Sequence, residues 1–265
     1  MHPFLNIAVR AARSAGDQII RRMADRDSLN VASKKRNDFV SEVDHEAEEI
    51  IINSIRRHHR DHAFLAEERG QEGDSDHVWI IDPLDGTTNY LHGLPVFAVS
   101  IAHQYKGRLE HGVIYDPIRQ ELFTASRGSG AFLDDRRIRV SGRKDLNGAL
   151  IGTGFPFTDH RYLDEYMAMF RAVVEKTAGI RRPGAAAIDL AWLAAGRIDG
   201  FWEMGLKPWD MAAGALLIRE AGGIVGTLSG GTDYLKTGHI LAGNPKVFAA
   251  LGRLIQPHLP AEMKK

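Results

Sequence analysis

The segment IDPLDGTTNY, residues 81–90, places two aspartates three positions apart among residues that favour turns. Asp82 and Asp85 flank a Pro-Leu step, so a tight turn could direct both carboxylates and the carbonyl of Leu84 to one point. Carboxylates, a main-chain carbonyl and water are the oxygen ligands that hard divalent cations prefer. The alternative is that Asp-Pro and Asp-Gly serve only as turn dipeptides.

Four more acidic residues stand at predicted ends of strands or helices. Glu67 follows the apolar run HAFLA, and Glu203 ends a predicted strand. Asp44 and Asp210 begin predicted helices. Each has an ordinary alternative, which is an exposed surface position for the glutamates and a helix N-cap for the aspartates. Together they match a two-metal site, in which carboxylates from distant segments offset the repulsion between two cations.

The sequence GTTN directly after Asp85 is suited to binding a phosphate group. Gly86 lets the backbone approach closely, and Thr87 and Thr88 offer hydroxyls. If a helix begins here, its first N–H groups point at an anion. A lone Gly-Thr-Thr is common, so the phosphate interpretation depends on the two preceding aspartates.

The elements that must position these residues follow from periodicity and turn signals. The N-terminal stretch FLNIAVRAARSAGDQII predicts an amphipathic helix, residues 25–36 a mobile loop, and residues 44–60 a second helix. Residues 78–83 predict a buried strand that Pro83 ends, and four β-rich runs between residues 95 and 140 predict an antiparallel meander. Helices and strands alternate in the second half. We therefore expect one α/β (α+β) domain of two lobes, about 1–145 and 146–265.

The amino-acid composition excludes several functional classes of protein. Lys+Arg and Asp+Glu both number 34, so the net charge of zero shows no global footprint for nucleic acid. The absence of cysteine excludes disulfides, thiolate nucleophiles and cysteine-bound zinc, and it fits a reducing compartment. The sequence has neither a secretory leader nor an apolar run long enough to span a bilayer. These observations predict a cytoplasmic protein without membrane contact.

Longer stretches of the sequence, in the same order, carry a family pattern. They are NDFVSEVD, the Ala-Glu-Glu after an apolar run, WIIDPLDGTTNYLHGLPVFAVSIA, RRPGAAAIDLAWLAAGRIDGFWEMG and PWDMAAGALLIREAGG. The sequence resembles the inositol monophosphatase family over nearly its whole length, and most closely the bacterial SuhB-type members. It departs from many relatives at Ala66, where Gly is usual, and at Tyr90, where Phe is usual. Neither departure removes a ligand.

The resemblance implies a role for each residue that matches the family pattern. The ligands of one magnesium ion would be Glu67, Asp82, the carbonyl of Leu84 and Thr87. Those of a second would be Asp82, Asp85 and Asp210, and a third, weaker magnesium would use Glu67 and waters. The catalytic set would be Asp44, Thr87 and Glu67, with Asp44 and Thr87 orienting and deprotonating the attacking water. The phosphate and substrate contacts would be Gly86, Thr87, Ala186, Glu203 and Asp210.

The same resemblance implies a fold and a reaction. The fold would be the layered α/β/α/β/α sandwich shared with fructose-1,6-bisphosphatase, with metal and phosphate bound in the first lobe and the substrate pocket in the second. The reaction would be hydrolysis of myo-inositol 1-phosphate and related polyol phosphates, with lithium inhibition and a homodimer. Fructose-1,6-bisphosphatase and 3′,5′-bisphosphate nucleotidase activities are the enzymatic alternatives. A non-catalytic role beside Nus factors, RNA polymerase and the ribosomal RNA leader is an alternative of another class.

Two further groups of residues have ordinary interpretations. Among the twelve histidines, His58, His59 and His62 stand near a helix end without the HExxH spacing of zinc proteases, which indicates exposed surface. The basic clusters at residues 34–36, 136–139 and 181–182 indicate solvated loops, with a protein or RNA partner as the alternative. The roles of the loops near Lys34 and Arg181 are left open by the sequence.

Overall fold

The computed structural model describes residues 2–24, 31–35, 38–156 and 159–264, and it describes only the backbone of residues 33–35 and 38–39. The described residues form these α-helices: α1 Pro3–Met23, α2 Glu42–Arg56, α3 Thr87–Leu91, α4 Leu163–Val174, α5 Ala186–Ala194, α6 Pro208–Glu220, α7 Tyr234–Thr237 and α8 Pro245–Ile255. Two short 3-10 turns, Gln256–His258 and Ala261–Met263, follow α8.

The strands fall into three sheets. Strands β1 Val31–Lys35 and β2 Asp38–Ser41 form an antiparallel pair. The large sheet contains β3 Ala63–Ala66, β4 Gly70–Glu72, β5 His77–Asp85, β6 Ala98–Tyr105, β7 Arg108–Asp116, β8 Glu121–Ser126, β9 Gly130–Leu133 and β10 Arg136–Arg137. The small sheet contains β11 Leu150–Thr153, β12 Gly179–Arg181, β13 Gly200–Met204, β14 Ile224–Gly226 and β15 His239–Gly243.

The order of strands in the large sheet is β10-β9-β8-β7-β6-β5-β3-β4. Its pairs are antiparallel except β3 with β5, which run parallel and so end at the same edge. The predicted meander is confirmed in β6 to β10. The order in the small sheet is β12-β11-β13-β15-β14, with β11 parallel to both of its neighbours.

The layers stack as helix, sheet, helix, sheet, helix. Helices α1 and α2 pack on one face of the large sheet, and α5 and α6 lie between the two sheets. Helices α4 and α8 cover the outer face of the small sheet, where their apolar residues form a separate core with β13 and β15. The structure thus has the predicted α/β/α/β/α architecture. The connection between the sheets contains the proposed lobe boundary near residue 145, and this division remains a prediction.

Several predicted element bounds were wrong. The segment 31–35, predicted as part of a loop, is strand β1, because it pairs with β2 and the side chain of Val40 in β2 is buried. Residues 25–30 and 36–37 of that prediction lie outside the described part of the chain. Helix α2 begins at Glu42 and ends at Arg56, not at residues 44 and 60, because Ser41 supplies the N-cap.

The expectation of exposed histidines was wrong for His62. Its side chain is buried, and its ring stacks on His59 at 4.4 Å and on His77 at 4.4 Å between centroids. The physical reason is that the turn after α2 folds back under α1, so that Phe4 covers the rings from above. His58, by contrast, is exposed as predicted, and His59 is half-buried. Among the described helices, none is both long and apolar enough to cross a bilayer.

Candidate active site

An irregularity at the end of β5 determines where two of the predicted ligands point. Asp82 pairs with Ser100 and Asp85 pairs with Ala98, so three steps on β5 oppose two steps on β6. Residues three apart in a regular strand point to opposite faces, and the extra residue of a bulge brings them to the same face. Pro83 lies within this bulge, where its missing N–H is tolerated. The strand therefore continues to Asp85, and the prediction that Pro83 ends it was wrong.

Glu67 reaches the same edge of the sheet because β3 runs parallel to β5. The next two N–H groups, those of Glu68 and Arg69, donate to the carboxylate of Glu48 at 2.8 and 3.1 Å. Glu48 is fully buried on α2, and burial raises its pKa. Glu48 therefore fixes the backbone that carries Glu67. Sequence reasoning missed it because a glutamate inside an acidic helix gives no sign of what it faces.

Asp210 brings the second half of the chain to this edge. It is the third residue of α6, and its Oδ2 accepts a hydrogen bond from Lys207 N at 2.6 Å. One of its carboxylate oxygens, one of Asp82 and one of Asp85 lie within 4.8 Å of one another. The N-cap alternative was wrong for Asp210, since Lys207 occupies that position. It was equally wrong for Asp44, which is the third residue of α2.

Burial and mutual repulsion raise the pKa of all three aspartates. At Asp82 burial is the largest cause, followed by the charges of Glu67 and Asp85. At Asp85 burial is followed by the charge of Asp210, and burial raises the pKa of Asp210 to about 7. A cation bound between these groups would favour their ionised forms. An all-oxygen set of carboxylates fits a hard divalent cation, so these residues could hold a metal.

Asp44 and Thr87 are joined by a hydrogen bond across 43 residues of sequence. Thr87 Oγ1 lies 2.8 Å from Asp44 Oδ1 and 3.0 Å from the carbonyl oxygen of Leu84. The other carboxylate oxygen, Asp44 Oδ2, accepts from Ser41 N at 2.8 Å and from Ser41 Oγ at 2.6 Å. A hydroxyl has one proton, so Thr87 donates to one of its two acceptors at a time. Asp44 is fully buried and reaches the site through Thr87.

Gly86 makes the turn between β5 and α3. Its φ of +94° lies in the left-handed region, and a Cβ there would stand 2.9 Å from the carbonyl oxygen of Val96. A side chain is therefore excluded by both backbone strain and contact. Helix α3 begins at the next residue, Thr87. The first N–H groups of a helix have no acceptor inside it, so they remain available at the site.

The predicted ring contacts lie on the opposite wall. Glu203 is buried in β13, so the surface alternative was wrong for it. A Cβ on Gly154 would stand 1.9 Å from Glu203 Oε1, which means that only glycine leaves room for this carboxylate. Ala186 begins α5, and the N–H of the next residue, Ala187, donates to Asp85 Oδ2 at 2.6 Å. This bond ties the two walls together.

Two residues on this wall were missed as site residues. Asp189 of α5 is buried, and its Oδ1 has no hydrogen-bond partner among the described residues. Arg182, interpreted from the sequence as part of a surface cluster, lies 5.5 Å from the ring centre of Phe155. Burial raises the pKa of both Asp189 and Glu203, and the nearby charge of Arg182 opposes that rise. The signal available in the sequence was an aspartate inside the apolar segment AAAIDLAWLAA.

A single cavity of about 760 Å³ connects these groups. Its lining includes Glu67, Asp82, Leu84, Asp85, Gly86, Thr87, Arg182, Ala186, Asp189, Glu203, Lys207 and Asp210. The volume is in the range of small-molecule sites. Of the sequence-predicted residues, only Asp44 stands behind the cavity wall; the others line it.

The sequence and the fold match known proteins. The model of the inositol monophosphatase family matches residues 1–258. The chain belongs to this family. Among family relatives, the protein named Nus factor SuhB from Pseudomonas aeruginosa is 58% identical over 272 residues, covering 100% of both chains.

Two solved structures of the family extend the match to three dimensions. The extragenic suppressor protein SuhB of Bartonella henselae is 47% identical with a TM-score of 0.93, covering 96% of this chain and 98% of that chain. The inositol monophosphatase from Anabaena is 39% identical with a TM-score of 0.87, covering 98% and 97%. The resemblance inferred from the sequence is therefore confirmed.

Proposed function

We propose that the protein is a magnesium-dependent phosphomonoesterase that hydrolyses myo-inositol 1-phosphate and related small polyol phosphates. The observation that carries the proposal is the approach of Asp82, Asp85 and Asp210, which each place one carboxylate oxygen within 4.8 Å of the other two. Membership of the inositol monophosphatase family and the match to the Anabaena enzyme support it.

Two magnesium ions would be held at the end of β5. The first would take Glu67, Asp82, the carbonyl of Leu84 and Thr87, and the second would take Asp82, Asp85 and Asp210. A third, weaker ion would use Glu67 and waters. When bound, the ions acidify water and neutralise charge on the phosphate and on the leaving oxygen.

Asp44 and Thr87 would remove the proton from the attacking water. Thr87 Oγ1 accepts this proton while passing its own to Asp44 Oδ1, 2.8 Å away. Ser41 holds the other oxygen of Asp44 through two hydrogen bonds, so the acceptor keeps its orientation. The N–H groups at Gly86 and Thr87 would bind the phosphate oxygens and align phosphorus for in-line attack.

The opposite wall favours a monoester of a neutral polyol. Ala186 leaves room for a ring, and the buried carboxyl groups of Glu203 and Asp189 would exchange hydrogen bonds with ring hydroxyls. A second phosphate, as in fructose 1,6-bisphosphate or a 3′,5′-bisphosphate nucleotide, would have to approach these two acidic groups. Burial raises the pKa of both groups, so they suit neutral hydroxyls as partners, and either group in its ionised form would repel a second phosphate.

The proposal is tested by phosphate release from a substrate panel under magnesium and lithium titration. We expect activity with myo-inositol 1-phosphate only when magnesium is present, and loss of activity in Asp85→Asn and Asp210→Asn with the circular dichroism spectrum unchanged. Asp76→Asn, which alters an exposed carboxylate on the loop before β5, is the matched control and should keep full activity. Full activity in Asp85→Asn would contradict the proposal.

A second function is supported by the name of the 58% identical relative, Nus factor SuhB. We propose that the protein also acts in the cytoplasm, as a homodimer, in a complex of Nus factors and RNA polymerase on the ribosomal RNA leader. The exposed basic strand β10 is available to such partners. Purified Nus factors and polymerase should bind both the wild-type protein and Asp85→Asn, since this role needs no catalysis. Failure of both proteins to bind, with unchanged ribosomal RNA in a deletion strain, would contradict it.

A further inference from the structure

A cluster of histidines lies at the end of the large sheet opposite the candidate active site. His77 begins β5, whereas Asp82 stands five residues further along the same strand. At about 3.3 Å per residue, these positions are about 17 Å apart. His103 of β6 pairs with Trp79 of β5, and His62 directly precedes β3. The cluster thus combines three segments that are distant in sequence.

We infer that His62, His77 and His103 form a second metal site, one for a transition-metal dication of the zinc class. One ring nitrogen from each residue lies within 4.8 Å of the others. His77 Nδ1 and His103 Nε2 are 3.0 Å apart. Two nitrogens bound to a tetrahedral zinc at about 2.05 Å are about 3.3 Å apart, so this pair already has the required spacing. The third nitrogen needs to approach by at most about 1.5 Å.

The protonation state of the cluster suits metal binding. Burial, followed by the charges of the neighbouring histidines, lowers the pKa of His62 to about 4 and that of His103 to about 3. At neutral pH both rings are therefore neutral, which is the form that ligates a metal. No proton has to be displaced from an imidazolium before the metal binds.

The cluster also contains buried ring nitrogens that have no hydrogen-bond partner in the described part of the chain. Among the described residues, His103 Nδ1 and His59 Nε2 are buried and have no hydrogen-bond partner. His59 stacks on His62, with ring centroids 4.4 Å apart, so it offers a nearby fourth nitrogen. Apolar side chains could fill this space without such a cost. A bound cation with imidazole ligands gives the histidines a physical reason to be there.

Trp79 gives the site a built-in reporter. Its Nε1 donates a hydrogen bond to His62 Nδ1 at 2.9 Å. A neutral imidazole has one free lone pair, and Trp79 uses it in the absence of metal. When His62 coordinates a cation, this hydrogen bond must be exchanged for the metal bond. Metal binding should therefore change the fluorescence of Trp79.

The ligand chemistry separates this site from the candidate active site. Imidazole nitrogen favours zinc, cobalt, nickel and copper, whereas the all-oxygen set at Asp82, Asp85 and Asp210 favours magnesium. Excess magnesium should thus leave the histidine site available. Cobalt at the histidine site should give the intense absorption of a tetrahedral centre, and cobalt in an oxygen site should not.

The test is a zinc titration of the full-length protein in excess magnesium, followed by calorimetry and by tryptophan fluorescence, with cobalt absorption in parallel. We expect one zinc per chain, and at least tenfold weaker binding in His77→Val and in His103→Val. His160→Ala, an exposed histidine outside the cluster, and Asp210→Asn should bind zinc as the wild-type protein does. Trp79→Phe should bind zinc at least as tightly and lose the fluorescence change.

Three outcomes would overturn the inference. They are zinc binding that is unchanged in both valine variants, zinc binding that is lost in Asp210→Asn, and a fluorescence response that persists in Trp79→Phe. Valine has a high β propensity and fits a strand position. If His103→Val fails to fold, His77→Val, whose side chain is only half-buried, decides the question.

Discussion

Replacing Glu48 with glutamine should weaken the candidate active site without altering any group that lines it. The Glu48 carboxylate accepts the N–H groups of Glu68 and Arg69 at 2.8 and 3.1 Å, and these directly follow Glu67. Glutamine has one side-chain oxygen, and its amide nitrogen is only a donor. One of the two backbone N–H groups therefore loses its acceptor, and the turn that carries Glu67 loosens.

The magnitude follows from this geometry. A buried N–H without an acceptor costs about 1–3 kcal/mol, and both of these hydrogen bonds are part-buried, so the lower part of that range applies. The ion pair with Arg69 is 3.6 Å long with a 36% exposed arginine side chain, so it adds at most about 1 kcal/mol. Removing a carboxylate whose pKa is raised by burial acts in the opposite direction. We expect a net loss of about 1–2 kcal/mol in the free energy of unfolding.

Two measurements check this expectation. Urea unfolding should give the loss of stability, and magnesium titration of phosphate release should show a higher metal requirement. If about 1 kcal/mol of the loss reaches Glu67, the half-saturating magnesium concentration rises about fivefold. Glu49→Gln is the control, because Glu49 is the neighbouring, exposed residue of α2. A Glu48→Gln protein with wild-type stability and magnesium requirement would refute the reasoning.

Three further variants or conditions test other contacts. Gly214→Ala puts a Cβ 2.4 Å from Leu190 Cβ between α5 and α6, so urea unfolding should show a loss of about 1–3 kcal/mol; unchanged stability would contradict the packing. Gly86→Ala, at φ +94°, should greatly reduce phosphate release while the circular dichroism spectrum changes little. Below pH 6.5 the His103 ring is protonated in the unfolded chain, but in the folded protein, where its pKa is about 3, it stays neutral. With a chelator present, His103 alone should lower the free energy of unfolding by about 2 kcal/mol between pH 7.5 and 5, and this contribution should be missing in His103→Val.

Local patterns were sufficient for much of this molecule. The apolar spacing of α1 is reproduced by the burial of Leu5, Ala8, Ala12 and Ile19. The meander followed from short β-rich runs between turn residues. Tyr90, noted as a departure from the family, donates its hydroxyl to the carbonyl oxygen of Ile19 at 3.1 Å and so fastens α3 to α1. That contact joins residues 71 positions apart and could not be read from either segment.

By itself, the sequence determined the residue types of the site, the spacing of Asp82 and Asp85 and the order of the longer helices and strands. Those properties depend on neighbours within one turn or one strand, so they can be predicted from the amino-acid sequence. Only the tertiary structure decided that a bulge turns both aspartates to one face, that Glu48 anchors the Glu67 turn, and that His62 joins His77 and His103. Each of these depends on strand register and burial, which arise when segments far apart in the chain pack together.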